Sequence, residues 1–172
     1  MLFVLNLYFL RGAGDTPLQA GLAMMPLALL ATTGNLASAG LAHMINRMRL
    51  MMAGSAILLI GFAGIALAST GFSYPLMALP LALIGFGGGL RTPMATSVIL
   101  STVDKKYSGI TSGFATATGQ LGASIGVAIF GAFLADADRI ADGTRIAATV
   151  SAAANALAVL IIWHLWRQRK RA

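Results

Sequence analysis

The chain contains no cysteine and no glutamate. Without cysteine, disulfides, thiol nucleophiles and thiolate-ligated metals are excluded. The acids are five aspartates: Asp15, Asp104, Asp136, Asp138 and Asp142. Charge of either sign is scarce, with 10% of residues charged against about 25% in an ordinary soluble domain. The two histidines, His43 and His164, are too far apart in sequence to form a local ligand pair, and both fall at expected helix ends. There is no G-x-x-x-x-G-K-[ST] loop and no Ser/His/Asp set that could share a face. Gly85–Gly89 is a glycine run inside an apolar stretch, not a phosphate cradle after a strand. An enzyme of lipid or envelope metabolism would need clustered acids or histidines, and none is seen. No enzyme activity, cofactor or metal is therefore expected.

What the chain has in abundance is apolar sequence, 58% of its 172 residues. Runs at 20–42, 50–68, 75–100, 109–134 and 146–166 each approach or exceed the ~20 residues a helix needs to cross ~30 Å of hydrocarbon. Every aspartate lies outside them. In lipid the backbone must satisfy its own hydrogen bonds, so these runs are expected to be helices. Residues 1–10 are apolar but too short to span, and they lack a basic leader and a cleavage site. They read as the last half of a helix whose beginning is missing, the alternative being a short N-terminal segment lying on the membrane surface. The expectation is an all-α integral membrane protein, one helical domain over 1–172, with about five full spans after a truncated N-terminal one.

The formal charge of +7 does not point to nucleic acid, because the cations sit in short loops and the tail. Successive loops alternate sides. Residues 43–49, 102–107 and the tail then share one side, carrying Arg47, Arg49, Lys105, Lys106, Arg167, Arg169, Lys170 and Arg171. The other side carries Arg11, Arg139 and Arg145 among four aspartates. The excess of Lys and Arg marks the first side, and the C-terminus, as cytoplasmic. Tyr74, Trp163 and Trp166 fall near span ends, where interfacial aromatics belong.

Within the spans, Gly85 and Gly89, Gly109 and Gly113, and Gly122 and Gly126 are each four apart. Small residues at that spacing let helix backbones approach closely, either as static packing or as contacts between moving helices. Pro26, Pro80 and Pro93 are expected to kink their helices. Thr32, Asn35 and Ser38 recur three apart, and Thr116, Gln120 and Ser124 four apart. Exposing Asn or Gln to lipid is costly, so these polar faces should meet a neighbouring helix or line a wet path. Arg91 is the one full charge well inside a span, at a cost of about 2.5–3.5 kcal/mol on insertion scales. It should snorkel, face a cavity or find a partner, and a carboxylate partner would have to come from outside these spans.

The order of segments resembles one known family. Thr16-Pro-Leu-Gln-Ala-Gly-Leu-Ala-Met-Met-Pro26 is similar to the S-P-L-Q-A-G-L-A-L-L-P stretch of the fourteen-span drug:proton antiporters of the major facilitator superfamily, the EmrB/QacA type. Tyr8-Phe9-Leu10 resembles that family's Y-L-Q helix end. Gly85-Phe-Gly-Gly-Gly89-Leu90 with Pro93 resembles its G-x-G-x-G-L-x-x-P span. Gly109-Ile-Thr-Ser-Gly113 and Gln120-Leu-Gly-Ala-Ser-Ile-Gly-Val-Ala128 resemble a later helix. Two places depart from the pattern. Gly40–Arg47 keeps the Gly, Leu and Arg of a G-x-L-a-D-R loop but has no Asp, and Gly119 stands where Arg often precedes the Gln.

The resemblance implies the C-terminal part of a secondary transporter in a bacterial inner membrane. It implies a missing N-terminal half as partner, a small amphipathic drug as substrate and protons as coupling ion. Thr32, Asn35, Arg91 and Gln120 are then the candidates for the substrate path. The alternative is a truncated, non-transporting membrane protein that docks on another transporter half.

Overall fold

The computed structural model describes residues 1–69, 74–133 and 140–169. The third loop beyond Ser69, together with Asp136, Asp138, Arg139, Lys170 and Arg171, lies outside them. The described residues are helical, with short connections and no strand. Helix α1 (Leu2–Leu7) runs into a π-helical turn over Tyr8–Gly12. Next come α2 (Pro17–Ala23), α3 (Met25–Leu41), α4 (Arg47–Ala68) and α5 (Tyr74–Leu100). A single 3-10 turn, Lys105–Tyr107, leads into α6 (Ser108–Phe133), and α7 (Ile140–Arg169) ends the described chain. Five stretches are long and apolar enough to cross a membrane, with α2 and α3 counted as one, and Leu2–Gly12 is a shorter apolar helix.

Local chemistry sets the helix ends. Gly14 adopts φ +74°, and the Asp15 N–H donates to the Phe9 carbonyl at 3.0 Å, closing the first helix with a left-handed residue. Thr16 and Gln19 form a reciprocal capping box around Pro17. The Gln19 N–H donates to Thr16 Oγ1 at 3.3 Å, and the Thr16 N–H donates to Gln19 Oε1 at 2.9 Å. The T-P-L-Q stretch is thus a helix start. Asn46, directly before Arg47, accepts from the Met48 N–H at 2.9 Å and caps α4. A side-chain acceptor is what that place requires, and Asn supplies it without a charge.

The helix bounds correct the sequence reading in two places, the 20–42 run and the start of the last helix. The 20–42 run is not one helix: it breaks at Met24, and Pro26 sits in the first turn of α3, where its missing N–H costs nothing. Pro80 and Pro93 lie inside α5 without ending it. Helix α7 begins at Ile140, so 140–145 is helical rather than loop, and Asp142 stands in its first turn. An acid there complements the unpaired N–H groups of the helix start.

Helix α5 is the centre of the packing, with α3 on one side and α4 on the other, and α7 packs on α4. One core cluster joins Leu5, Tyr8 and Phe9 to Ile65, Met77, Leu81 and Ala147. Tyr8 and Phe9 are almost wholly buried, and the Tyr8 hydroxyl donates to the Ser69 carbonyl at 3.3 Å. A second, smaller cluster of Leu50, Met51, Leu90 and Met94 fills the opposite end of the α4–α5 contact. Helix α6 stands apart. None of its described residues is buried, and it meets α1, α5 and α7 only lightly compared with the α3–α5 and α4–α5 contacts.

Candidate functional site

The α5 glycines permit contact on two sides. A Cβ added at Gly85 would run into the Leu27 carbonyl, and one at Gly89 into the Ala31 carbonyl, both on α3. Gly34 of α3 answers from the other side against Phe86. Gly87 faces the opposite way: its added Cβ would lie 2.7 Å from the Gly54 carbonyl oxygen and 2.9 Å from the Leu58 nitrogen, on α4. Farther along α4, Gly61 makes room for Ile84 and Gly64 for Pro80, with an added Cβ at Gly64 only 2.8 Å from the ring's Cγ. Gly109, Gly113, Gly122 and Gly126 of α6 meet nothing within 4 Å.

Arg91 follows Gly87 by one turn and so projects toward α4 and α7. Its Nη1 donates to Asn155 Oδ1 at 2.9 Å, and Asn155 Nδ2 donates to the Ser55 carbonyl at 2.6 Å. Three helices are thereby joined by one polar chain. Asn155 is 5% exposed and Ser55 fully buried, so the chain sits in low dielectric, where hydrogen bonds to a charge are strong and broken ones costly. The Ser55 and Thr144 hydroxyls are buried with no hydrogen-bond partner among the described residues. Among the described residues no carboxylate joins Arg91, whose partner is an amide. Asn155 escaped the sequence reading because its immediate neighbours, 152–162, are otherwise Ala, Leu, Val and Ile. A lone Asn within such a run was the available signal.

The other three candidates lie elsewhere. Thr32 and Asn35 are exposed on α3, with Thr32 Oγ1 bonded back to the Ala28 carbonyl at 3.1 Å. Ser38 leaves their face. It is buried against α5 and donates to the Asn35 carbonyl at 2.7 Å. Residues three apart drift by about 60° around a helix, so the spacing spreads over a wide arc. The face that Thr32 and Asn35 share with Ala28 and Ala39 is exposed and small or polar, whereas Leu29 and Leu36 make the adjacent face apolar, at 58% and 71% exposed.

Gln120 is exposed midway along α6, in line with Gly109, Gly113, Thr116 and Ser124. Ile110, Phe114, Leu121 and Ile125, all between 59% and 75% exposed, mark a separate apolar face. The structure thus brings Arg91 to Asn155. It places Thr32 with Asn35, and leaves Gln120 alone on α6. Arg47 and Arg49 begin α4, and Lys105 and Lys106 form the turn before α6; all four are exposed. Among the described residues no cluster of His, Cys, Asp or Glu could hold a metal ion.

Comparison with known proteins agrees with this architecture. The chain is 28% identical to the methylenomycin A resistance protein of Bacillus subtilis over 94% of its own length and 35% of that protein's. It is 25% identical to the methylenomycin A resistance protein of Streptomyces coelicolor, over 98% and 36% of the two chains. A tetracycline resistance determinant of Streptomyces rimosus is 32% identical over 73% and 36%. The chain spans about a third of the length of these curated relatives. No solved structure matches. The family model of the Major Facilitator Superfamily matches residues 1–127, from α1 through the polar middle of α6. With that match over most of its length, this multi-pass helical chain belongs to the Major Facilitator Superfamily.

Proposed function

We propose that the chain forms the C-terminal part of a secondary transporter that exports small amphipathic drug-like compounds. Its orientation is C-terminus inside, in a bacterial inner membrane. The observation that carries the reading is the pair of exposed polar faces, Thr32 with Asn35 on α3 and Thr116, Gln120 and Ser124 on α6. Each lies beside a distinct apolar face on the same helix. A helix facing only lipid has no use for such a division; one with lipid on one side and a wet path on the other does.

The resistance and transport named for the relatives support export over uptake. Protons are the proposed coupling ion. The described aspartates lie toward helix ends, at Asp15, Asp104 and Asp142, so the proton-carrying carboxylate is assigned to the remaining part of the transporter. Helix α6 offers that part a packing surface through Gly122 and Gly126, on the side away from Gln120.

This chain has no cysteine, so a direct test needs only the replacement of any cysteine in the remaining part of the transporter. In the full-length transporter, Asn35→Cys and Gln120→Cys should react with a membrane-impermeant maleimide, and substrate should slow both reactions. Leu36→Cys and Leu121→Cys should stay unlabelled. Equal labelling of polar and apolar positions, or no protection by any exported compound, would refute the path assignment. Expressed alone in an efflux-deficient host, the 172-residue chain should give no dye efflux above empty vector.

A further inference from the structure

Helix α7 carries a charged rim above an apolar groove. Leu160, Ile161, Trp163 and His164 line this shallow groove of about 380 Å³. The Arg167 guanidinium lies 4.0 Å from the centroid of the Trp163 ring, one turn back on the same helix. From the first turn of α4, Arg49 stands 6.0 Å from the Trp166 ring. Stacking on indole fixes a guanidinium while leaving its N–H edge free to donate to an anion. Neither arginine forms an ion pair among the described residues. The corner therefore offers an apolar slot along the helix and, at its mouth, two positive charges with no ion pair among the described residues, both at the depth where tryptophan marks the membrane interface.

We propose that this corner binds an anionic phospholipid of the leaflet on the α7 C-terminal side. One acyl chain lies along Leu160, Ile161 and Trp163. The phosphate accepts from Arg167, and Arg49 raises the local positive potential. Charge complementarity selects this occupant. A zwitterionic headgroup brings its own cation to a rim that already holds two, and a free inorganic anion would leave the apolar slot unfilled.

Trp163 and Trp166 are the only tryptophans in the chain, so intrinsic fluorescence reads this corner alone. The protein is reconstituted into phosphatidylcholine vesicles doped with brominated phosphatidylglycerol or, in parallel, brominated phosphatidylcholine, since bromine quenches indole only near contact. Two arginines at a membrane surface predict quenching by the brominated anionic lipid about threefold or more above its zwitterionic counterpart at equal doping. Arg49→Gln with Arg167→Gln should abolish that preference while helicity is unchanged, and Arg167→Lys should keep it.

Equal quenching by the two lipids overturns the proposal, as does a preference that survives the double Gln variant. Suppression of the preference by inorganic phosphate at matched ionic strength would show an anion pocket without a lipid and also overturn it. Absence of quenching by both lipids would mean that protein covers the groove, and the proposal would fall on that result too.

Discussion

Arg91 carries the largest single electrostatic burden in the bundle, and its partner is a neutral amide 64 positions later in the chain. Removing Asn155 leaves a half-buried guanidinium with one fewer acceptor. Asn155→Leu should therefore lower stability in detergent by about 1–3 kcal/mol. A double-mutant cycle with Arg91→Leu should return a coupling of about 1 kcal/mol, in the range found for polar pairs between membrane helices. Additive single effects would show that the bond contributes nothing. Ser55→Ala removes a buried hydroxyl that has no partner among the described residues and should be neutral or stabilising in the same thermal assay.

Glycines separate equally sharply. Gly89→Val drives a branched side chain into the Ala31 carbonyl, a backbone atom that cannot swing away, and should cost about 1–3 kcal/mol or prevent folding. Gly122→Ala, with open space around it, should stay within about 0.5 kcal/mol of the parent. Thermal unfolding of the two variants side by side tests the contrast.

At the level of elements, the spans were legible because one solvent dictates them: a long run of apolar residues in lipid has to be helical. Four of the five long helices follow from run length alone. The break at Met24 was less visible because α2 and α3 are both apolar and only the proline marks the junction. The start of α7 at Ile140 was missed because Asp142 and Arg145 read as loop residues, whereas a helix start takes an acid readily.

Packing partners were only partly legible. Gly85 and Gly89 were visible as a pair and do meet α3. Gly54 meets Gly87 and Gly61 meets Ile84 across α4 and α5, at spacings that no four-residue rule selects. The Arg91–Asn155 bond depends on which helices are neighbours, and hydropathy carries no information about that. Helix α6 predicts its own behaviour: with no buried residue among those described, its amides should exchange with deuterium well before those of α5 when the chain is studied alone in detergent. Matching protection of α5 and α6 would contradict this.

Taken whole, the molecule presents apolar side chains outward nearly everywhere, from Leu18 at 73% exposed to Leu67 at 80% and Ile110 at 75%. No water-soluble protein tolerates that much contiguous apolar surface, and removal of detergent should precipitate the purified chain. Monodisperse behaviour in plain buffer would overturn the membrane assignment. Orientation is a separate matter, set by Arg47, Arg49, Lys105 and Lys106 against Arg11 and Arg145. A reporter fused after Lys106 should read cytoplasmic and one fused within 136–142 external; the reverse would invert the topology and leave the helices untouched.

The pinching of α5 between two backbones has a mechanical consequence. A rod whose glycines Gly85, Gly87 and Gly89 meet neighbouring carbonyls on both flanks cannot spin about its own axis. A turn of one residue, about 100°, would swing Phe86 or Leu90 into clefts with room for a hydrogen atom. Such a rod can tilt only together with α3 and α4, as one plank. If the molecule rocks, the hinges belong at the plank's margins, in the short connections that tie it to the loosely held α6.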